Sequence, residues 1–269
     1  MDVPGFALVT GAGSGIGRSC AITFASEGAA GVAVLDISMT ALDTVKAEIE
    51  FEHKDCRVLA YQLDVTNEDQ VGKAVDEIAR VFGRIDYLVN CAGTTVKHVG
   101  GTARAETKDW ARVLDLNLNG TFYMSRAVLR VMLSQEHIIS SRNKDAIRRG
   151  SIVNLSSILG VVGAPMSAAY VASKHAVIGF TKAASEDYAK DGIRVNAVCP
   201  GYTDTPLSRG NGGEPLLGKI VQEKVAREVP IGRIGQPHEI ADCVVWLSGG
   251  RSSMVTGAVI VADGGFTQK

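Results

Sequence analysis

The chain has 269 residues, of which 46% are hydrophobic and 21% are charged, with a formal net charge of −1. This length allows one large α/β domain with a substantial core. The nearly balanced charge gives no reason to expect a nucleic acid or an acidic membrane as partner. The 5 cysteines are scattered and contain no C-x-x-C pair, which indicates reduced thiols rather than a disulfide framework or a zinc site.

Neither a signal segment nor an apolar stretch of about 18 residues is found, so we expect a cytoplasmic protein without a membrane partner. Short apolar runs alternate with longer helical patterns along the chain. The predicted strands cover 6–10, 31–36, 57–65, 85–93, 150–157, 192–200 and 257–265. The predicted helices cover about 15–27, 39–53, 67–83, 110–133, 167–190 and 237–248.

The predicted strands are continuously apolar rather than alternating, as in a parallel sheet that is covered by helices on both faces. The pattern predicts one doubly wound α/β domain over 1–269, a Rossmann fold with a parallel sheet of about seven strands. Two segments are irregular. Residues 134–150 form a polar insertion with the basic run RNKDAIRRG, which we interpret as a solvated loop, and 203–218 is rich in Gly and Pro and is predicted to be a mobile substrate loop.

A glycine-rich turn separates the first predicted strand from the first predicted helix. Residues without a Cβ atom let the backbone turn sharply and approach a pyrophosphate, while the helix offers free N–H groups and its positive dipole end. The strand–turn–helix context therefore predicts a dinucleotide site. Its residues are Gly11, Gly13, Ser14, Gly15, Ile16 and Gly17.

Asp36 ends the second predicted strand, about twenty residues beyond the glycines. A carboxylate there accepts hydrogen bonds from the adenosine ribose and repels a 2′-phosphate. Neither position 35 nor Ile37 is basic, and position 14 is Ser, so the sequence favours NAD over NADP. An alternative interpretation is that Asp36 caps the helix that begins near Ser38, and the two roles are compatible.

Tyr170 and Lys174 lie four residues apart in a predicted helix of small and apolar residues. On a helix, positions i and i+4 share a face with Cβ atoms about 5 to 6 Å apart. A free tyrosine has a pKa near ~10, too high for a base at neutral pH. We expect the Lys174 cation and an oxidised nicotinamide to lower the pKa of Tyr170, which would make the pair an acid/base device.

A set of ordered motifs resembles the short, single-domain branch of the short-chain dehydrogenase/reductases over essentially the whole chain. Each motif is weak alone, but their order and spacing make another superfamily improbable. The matching motifs are T-G-A-G-S-G-I-G (10–17), L-D-V (63–65), N-C-A-G (90–93), N-L-N-G (117–120), I-V-N-L-S-S (152–157), Y-V-A-S-K (170–174), I-R-V-N (193–196), P-G-Y-T-D-T (200–205) and D-G-G (263–265).

The resemblance implies roles for particular residues. Tyr170 would be the general acid/base, Lys174 its activator, and Ser157 a donor to the substrate oxygen. Asn117 would hold a water-linked proton path to Lys174. The further cofactor contacts that it implies are Asp64, Val65, Asn90, Ala92, Gly93, Pro200, Gly201, Thr203 and Thr205, together with Tyr170 and Lys174.

The resemblance also implies a substrate class. Three residues between Tyr170 and Lys174 favour alcohol/ketone chemistry over the enoyl reductase branch, and there is no room for the substrate domain of the sugar epimerases. We expect a hydrophobic secondary alcohol or ketone, with cyclic compounds included, and a 3-oxoacyl thioester as the alternative. The pocket would include Thr94, Thr95, Val96, Leu159, Gly160, Ala164, Tyr202 and the 203–218 loop.

A second class of function is a non-catalytic module that senses NAD. Such a protein would be free to lose the Tyr170 and Lys174 pair, which this chain keeps. Family members usually assemble through two long helices, here 110–133 and 167–190, and the last strand, so a homotetramer or homodimer is expected. Two departures from the family pattern are Cys91, where Asn is commoner, and the length of the 134–150 insertion.

Overall fold

The computed structural model describes residues 3–139, 147–209 and 219–268. Seven parallel strands form a sheet in the order β3-β2-β1-β4-β7-β8-β9, which confirms the predicted doubly wound α/β architecture. A short antiparallel pair, β5 with β6, lies outside this sheet. The strands are β1 Phe6–Thr10, β2 Gly31–Asp36, β3 Arg57–Gln62, β4 Tyr87–Asn90, β5 Ile138–Ile139, β6 Ile147–Arg148, β7 Gly150–Leu155, β8 Ile193–Pro200 and β9 Val259–Ala262.

Helices cover both faces of the sheet and divide the apolar core into two clusters. One cluster joins the sheet to α1, α2 and α9, and the other joins it to α3, α5 and α6. The helices are α1 Gly15–Ser26, α2 Met39–Glu52, α3 Glu68–Phe82, α4 Thr107–Leu114, α5 Gly120–Ser134, α6 Ala168–Tyr188, α7 Pro206–Arg209, α8 Lys219–Glu228 and α9 Pro237–Ser248. No helix in the described ranges is both long enough and apolar enough to cross a membrane.

The third helix shows how the sequence specifies these elements. Asn67 caps α3 by accepting a hydrogen bond from the Gln70 N–H at 3.0 Å. Apolar side chains at helical spacing, from Val71 to Phe82, are buried against the sheet. The helix ends at Gly83, whose φ of 82° is in the left-handed region that favours glycine.

The long helix predicted over 110–133 is instead two helices. α4 begins earlier, at Thr107, and a π-helical turn, Asp115–Asn119, separates it from α5. Such turns are single insertions in α-helices and occur often at functional sites. The turn contains Asn117, so the correction bears directly on the site.

Several predicted strands are shorter than the apolar runs suggested. β4 stops at Asn90 because the N–H groups of Cys91 and Ala92 bond to the Thr10 hydroxyl oxygen, at 3.1 Å each, instead of continuing the ladder. β9 lies between Gly257 and Gly264, whose φ values of 68° and 64° leave the extended region. β3 ends at Gln62 rather than at 65.

The two segments predicted to be irregular contain regular elements. α7 and the start of α8 border residues 210–218, which lie outside the described residues, as do 140–146 of the insertion. The solvated-loop interpretation of the basic run is wrong for its end. Arg148 and Arg149 are partly buried, and Arg148 pairs with Ile138 across the β5–β6 ladder.

Candidate active site

Glycines form a close-packed cradle between β1 and α1. Gly11 has a φ of 62°, and a Cβ atom on it would lie 2.9 Å from the Ala92 amide nitrogen. A Cβ atom on Gly17, in the first turn of α1, would overlap the Gly11 carbonyl oxygen. Larger residues at these positions would displace the turn, so the glycines are required by the backbone course as well as by any ligand.

A cleft of about 230 Å³ opens above this cradle, at the carboxyl edge of the sheet where the strand order reverses between β1 and β4. In open α/β sheets, ligands bind at this switch point. The predicted cofactor residues that line it are Gly11, Ser14, Gly15, Ile16, Gly17, Asp36, Ile37, Val65, Ala92, Gly93 and Thr205. Leu35, Leu63, Cys91, Leu116, Pro206 and Leu207 also line it.

Asp36 is held beside the cradle by two main-chain donors. Its carboxylate accepts hydrogen bonds from the N–H of Gly13 at 3.0 Å and from the N–H of Ser38 at 3.1 Å. Ser38, rather than Asp36, is the N-cap of α2. Asp36 supports the start of this helix without capping it, so the capping interpretation is wrong. Its carboxylate lines the cleft, and its contact with a ribose stays a prediction.

Ser157 lies two residues beyond β7 and close enough to Tyr170, in α6, for its hydroxyl to lower the pKa of the phenol. The Ser157 hydroxyl oxygen accepts the Leu159 N–H at 3.1 Å, which leaves the hydroxyl hydrogen free to donate to the phenol oxygen. Burial raises the pKa of Tyr170, and the bond from Ser157 acts in the opposite direction. In the protein alone the Tyr170 phenol is therefore a weaker acid than a free tyrosine.

Lys174 is buried one helical turn beyond Tyr170. Its ammonium donates to the Leu155 carbonyl oxygen at 2.7 Å and lies 5.8 Å from the centre of the Tyr170 ring. Burial lowers the pKa of Lys174 to about 8. The expected lowering of the Tyr170 pKa by Lys174 is not seen in the protein alone, because burial raises this pKa and the opposing effect comes from Ser157.

The π turn directs Asn117 toward this pair. The Asn117 amide clasps the main chain of Thr94, accepting from its N–H at 2.8 Å and donating to its carbonyl at 3.0 Å. It also donates to the Ser173 hydroxyl at 3.0 Å. A Cβ atom on Gly93 would lie 3.2 Å from the Asn117 amide oxygen and 3.6 Å from the Lys174 ammonium, so a glycine keeps the space between these groups open.

Some predicted cofactor contacts lie outside the lining of the cleft. Asn90 turns inward and donates to Ser125 and Asn154, at 3.0 and 2.8 Å, within the core of the sheet. The Asp64 carboxylate accepts from the N–H and hydroxyl of Thr66. The remaining ones are Gly13 in the turn, Tyr170 and Lys174 in α6, Pro200 at the end of β8, and Gly201 and the buried Thr203 after it.

Two polar residues that sequence reasoning missed support the site. Thr10 fixes the turn after β4 through its hydroxyl, and Ser173 links Asn117 to the helix that carries Tyr170, donating to the Tyr170 carbonyl at 2.8 Å. The signals were a hydroxyl directly before the glycines and one beside Lys174. Gly160, predicted to line the pocket, packs against the Ser156 hydroxyl and the Lys174 carbonyl.

Comparison with known proteins places this geometry among relatives. A family model described as enoyl-(acyl carrier protein) reductase matches residues 11–267. The chain is 43% identical to the short-chain dehydrogenase fogB of Aspergillus ruber, over 99% of this chain and 98% of that protein. It is 39% identical to the 3-oxoacyl-[acyl-carrier-protein] reductase FabG of Thermotoga maritima, with 96% of each chain covered.

Two further comparisons extend this set. The chain is 39% identical to cis-4-hydroxycyclohexanecarboxylate dehydrogenase of Sinomonas cyclohexanicum, over 97% of this chain and 96% of that protein. The crystal structure of a short-chain type dehydrogenase/reductase from Mycobacterium marinum is similar with a TM-score of 0.87 at 32% identity, covering 100% of this chain and 98% of that chain. Sequence and fold thus point to the same group of proteins.

Proposed function

The chain belongs to the short-chain dehydrogenase/reductase family of oxidoreductases, and from that premise we propose that it is an NAD(H)-dependent enzyme. It interconverts a secondary alcohol and a ketone on a hydrophobic small molecule, with ring alcohols and cyclic ketones as the first class to test. The observation that carries this proposal is the contact of Ser157 with Tyr170, with buried Lys174 one turn away and Asn117 beside it.

The cleft fits a nicotinamide dinucleotide. The glycine cradle leaves room for a pyrophosphate at the N-terminus of α1, and the Asp36 carboxylate can accept from ribose hydroxyls. No Arg or Lys is among the described residues that line the cleft, which supports NAD over NADP. When bound, the dinucleotide would supply the hydride acceptor or donor.

Side chains of the protein transfer the proton between the substrate oxygen and Tyr170. In ketone reduction, Tyr170 donates its phenol proton to the carbonyl oxygen, and the raised pKa keeps that proton in place at neutral pH. Ser157 donates a hydrogen bond to the same oxygen, where negative charge develops. The Lys174 ammonium stabilises the phenolate that forms. In alcohol oxidation the phenolate takes the hydroxyl proton, and each contact acts in reverse.

The substrate class is supported by a relative and by the pair's spacing. The Sinomonas protein is named for a ring-bearing secondary alcohol and covers this chain almost completely. Three residues separate Tyr170 from Lys174, the spacing that favours alcohol/ketone over enoyl chemistry. A 3-oxoacyl thioester reductase is the second candidate, because the Thermotoga 3-oxoacyl reductase is 39% identical.

A substrate panel tests the proposal. Purified protein is incubated with NAD⁺ or NADP⁺ and ring alcohols, one of them carrying a carboxylate, and with NADH or NADPH and cyclic ketones, a 3-oxoacyl thioester and an enoyl thioester. Absorbance of the reduced cofactor reports turnover. We expect turnover of ring substrates with NAD(H), and we expect Tyr170→Phe to lower kcat/KM by about 10² to 10⁴-fold.

Each alternative has its own outcome in this panel. If the 3-oxoacyl thioester is turned over in preference to the ring substrates, the protein is a 3-oxoacyl thioester reductase, the second candidate. Tight binding of NAD without turnover of any substrate, unchanged in Tyr170→Phe, would instead favour the non-catalytic sensor. Turnover that Tyr170→Phe leaves intact would overturn the assigned roles.

We further propose a homotetramer or homodimer in the cytoplasm. Large apolar side chains are exposed in the 110–133 region, which is expected to meet a second copy: Trp110 at 39% on α4 and Phe122 at 38% on α5. Their burial would supply the apolar core of an interface. Light scattering during size-exclusion chromatography gives the mass in solution, and a single-chain mass of 28.3 kDa would contradict the assembly.

A further inference from the structure

A second concave site lies at the amino edge of the sheet, opposite the cofactor cleft. It is a cavity of about 10 Å³ where β4, β7 and β8 begin and where the β5–β6 pair folds against them. Its lining residues are Asp86, Tyr87, Ile138, Arg148, Arg149, Gly150, Ser151, Arg194 and Ser248. None of them has a role in the chemistry proposed above.

The charge around this cavity is unbalanced. Three guanidinium groups line it, those of Arg148, Arg149 and Arg194, against the single carboxylate of Asp86. That carboxylate is already engaged, because it accepts the Arg84 Nε–H at 2.7 Å and the Phe6 N–H at 2.9 Å. The pair with Arg84 is internally neutral, so the described residues that line the cavity keep an excess of positive charge.

The three guanidinium groups are held mainly by neutral acceptors. Arg194 is 9% exposed and donates to the carbonyls of Ser248, Gly249 and Val255, at 3.0 to 3.1 Å. Arg149 donates to the Leu133 carbonyl at 2.9 Å, and Arg148 reaches the Tyr87 hydroxyl at 3.5 Å. Carbonyls satisfy donors but do not neutralise charge, and the proximity of Arg148 adds to burial in lowering the pKa of Arg194 to about 10.

One donor at this site has no acceptor. The Nε atom of Arg149 is buried, and it meets no hydrogen-bond acceptor among the residues that the structure describes; the same is true of Nη2 of neighbouring Arg84. Unpaired buried donors are rare in native proteins and indicate an unassigned water or ion. Because the donors here are cationic, an anion satisfies both the hydrogen bond and the charge.

We propose that Arg148, Arg149 and Arg194 form a binding site for a small inorganic anion, either a halide or one oxygen of a phosphate. The cavity volume is about that of one water-sized group, which excludes a nucleotide from its interior. Bound anion would join the polar insertion, through Arg148 and Arg149, to the start of β8. The site therefore contributes to stability, at a distance from the chemistry.

Thermal unfolding in matched salts tests this site. Wild type, Arg148→Gln, Arg149→Gln and the exposed control Arg130→Gln are melted in potassium gluconate, chloride and phosphate at equal ionic strength. Saturating NAD⁺ is present in a parallel series, because phosphate also fits the cofactor cradle. For wild type and Arg130→Gln we expect a saturable rise in Tm of about 3 °C in chloride or phosphate at ten times the dissociation constant.

The two cavity variants decide the outcome. Arg148→Gln and Arg149→Gln should lose that rise, whether or not NAD⁺ binds, so failure of the proposed enzyme would leave this test intact. An equal rise in all four proteins, or none in any, overturns the proposal. Crystals grown in bromide give a second readout: an anomalous peak within hydrogen-bond distance of Arg149 Nε supports the site, and a water there overturns it.

Discussion

The two edges of the sheet each bury a cation, and they do so in closely similar ways. At the carboxyl edge the Lys174 ammonium donates to the carbonyl of Leu155, the last residue of β7. At the amino edge the Arg194 guanidinium, near the start of β8, donates to three carbonyls, one at the last residue of α9 and two beyond it. Burial lowers both pKa values, to about 8 for Lys174 and about 10 for Arg194.

The difference between the two cations lies in what a change of pH can do. Lys174 can lose its proton close to neutral pH, so the carboxyl edge can change its charge during a reaction. Arg194 remains charged under the same conditions, since its pKa is still about two units above that of Lys174. A titratable cation suits proton chemistry, whereas a permanent one needs a compensating partner. The carboxyl edge of the sheet therefore suits proton transfer, whereas the cation at the amino edge contributes to stability.

Removing the Lys174 ammonium should have the largest effect. In Lys174→Met the phenolate of Tyr170 loses its stabilising cation, and we expect kcat to fall by about 10² to 10⁴-fold. Steady-state kinetics with the best substrate of the panel measures it, and Lys182→Met, on the same helix but outside the site, is the control. A kcat within threefold of wild type would show that the carboxyl edge does not use its cation.

Removing the Arg194 guanidinium should change stability instead of chemistry. Arg194→Met removes three charge-assisted hydrogen bonds and takes the side-chain donor from the buried Ser248 carbonyl, so we expect the free energy of unfolding to fall by about 3 kcal/mol. Urea unfolding measures this loss, and kcat per folded molecule should be unchanged. A variant that unfolds like wild type but has a lower kcat would reverse the roles assigned to the two edges.

Lys174 should add a rising component to the pH dependence of stability. Its pKa is about 8 in the folded protein and near 10.5 when the side chain is exposed, so between these pH values the unfolded chain binds more protons. The free energy of unfolding then rises with pH, by up to about 1.4 kcal/mol per pH unit from this group. Urea unfolding of wild type and Lys174→Met over this range measures the difference. A slope that survives in Lys174→Met would assign the rise to another group.

Substitution of Asp36 should have the smallest of the four effects. Asp36→Ala removes the acceptor of the Gly13 N–H and the expected ribose contact, so we expect the KM for NAD to rise about tenfold. Asp36→Asn keeps a neutral acceptor, so its KM for NAD should rise less than in Asp36→Ala, and its KM for NADP should fall. Kinetics with both cofactors provides the measurement. An unchanged KM in Asp36→Ala would remove Asp36 from cofactor binding.

Sequence reasoning was strongest where a residue type is required by the backbone or by an i, i+4 spacing. Gly11 and Gly17 could be identified because a Cβ atom at either position would collide with the backbone. The Tyr170–Lys174 pair could be identified because residues at i and i+4 share a helix face. The alternation of apolar runs with helical patterns likewise predicted a parallel sheet with helices on both of its faces. These features depend on local geometry that the sequence states directly.

Features that depend on burial or on distant contacts could not be predicted. The upward shift of the Tyr170 pKa reflects desolvation, which depends on everything packed around the ring. The π turn could not be predicted, since Asp115–Asn119 contains no Gly or Pro that would mark a break in the helix. The position of Arg148 and Arg149 depends on pairing across the insertion, where a short basic run resembles any solvated loop.

The π turn at Asp115–Asn119 also has a consequence for how the two helices beside it can vary. One additional residue in a turn rotates everything that follows by about a quarter of a revolution relative to a continuous α-helix. The side chains of α4 and α5 therefore point in directions that differ by this rotation. α5 buries Met124 and Val128, while α4 exposes part of Trp110 to solvent. α4 therefore makes its own contact with the core through the buried Val113, at a rotation about the helix axis that a continuous helix would not give it.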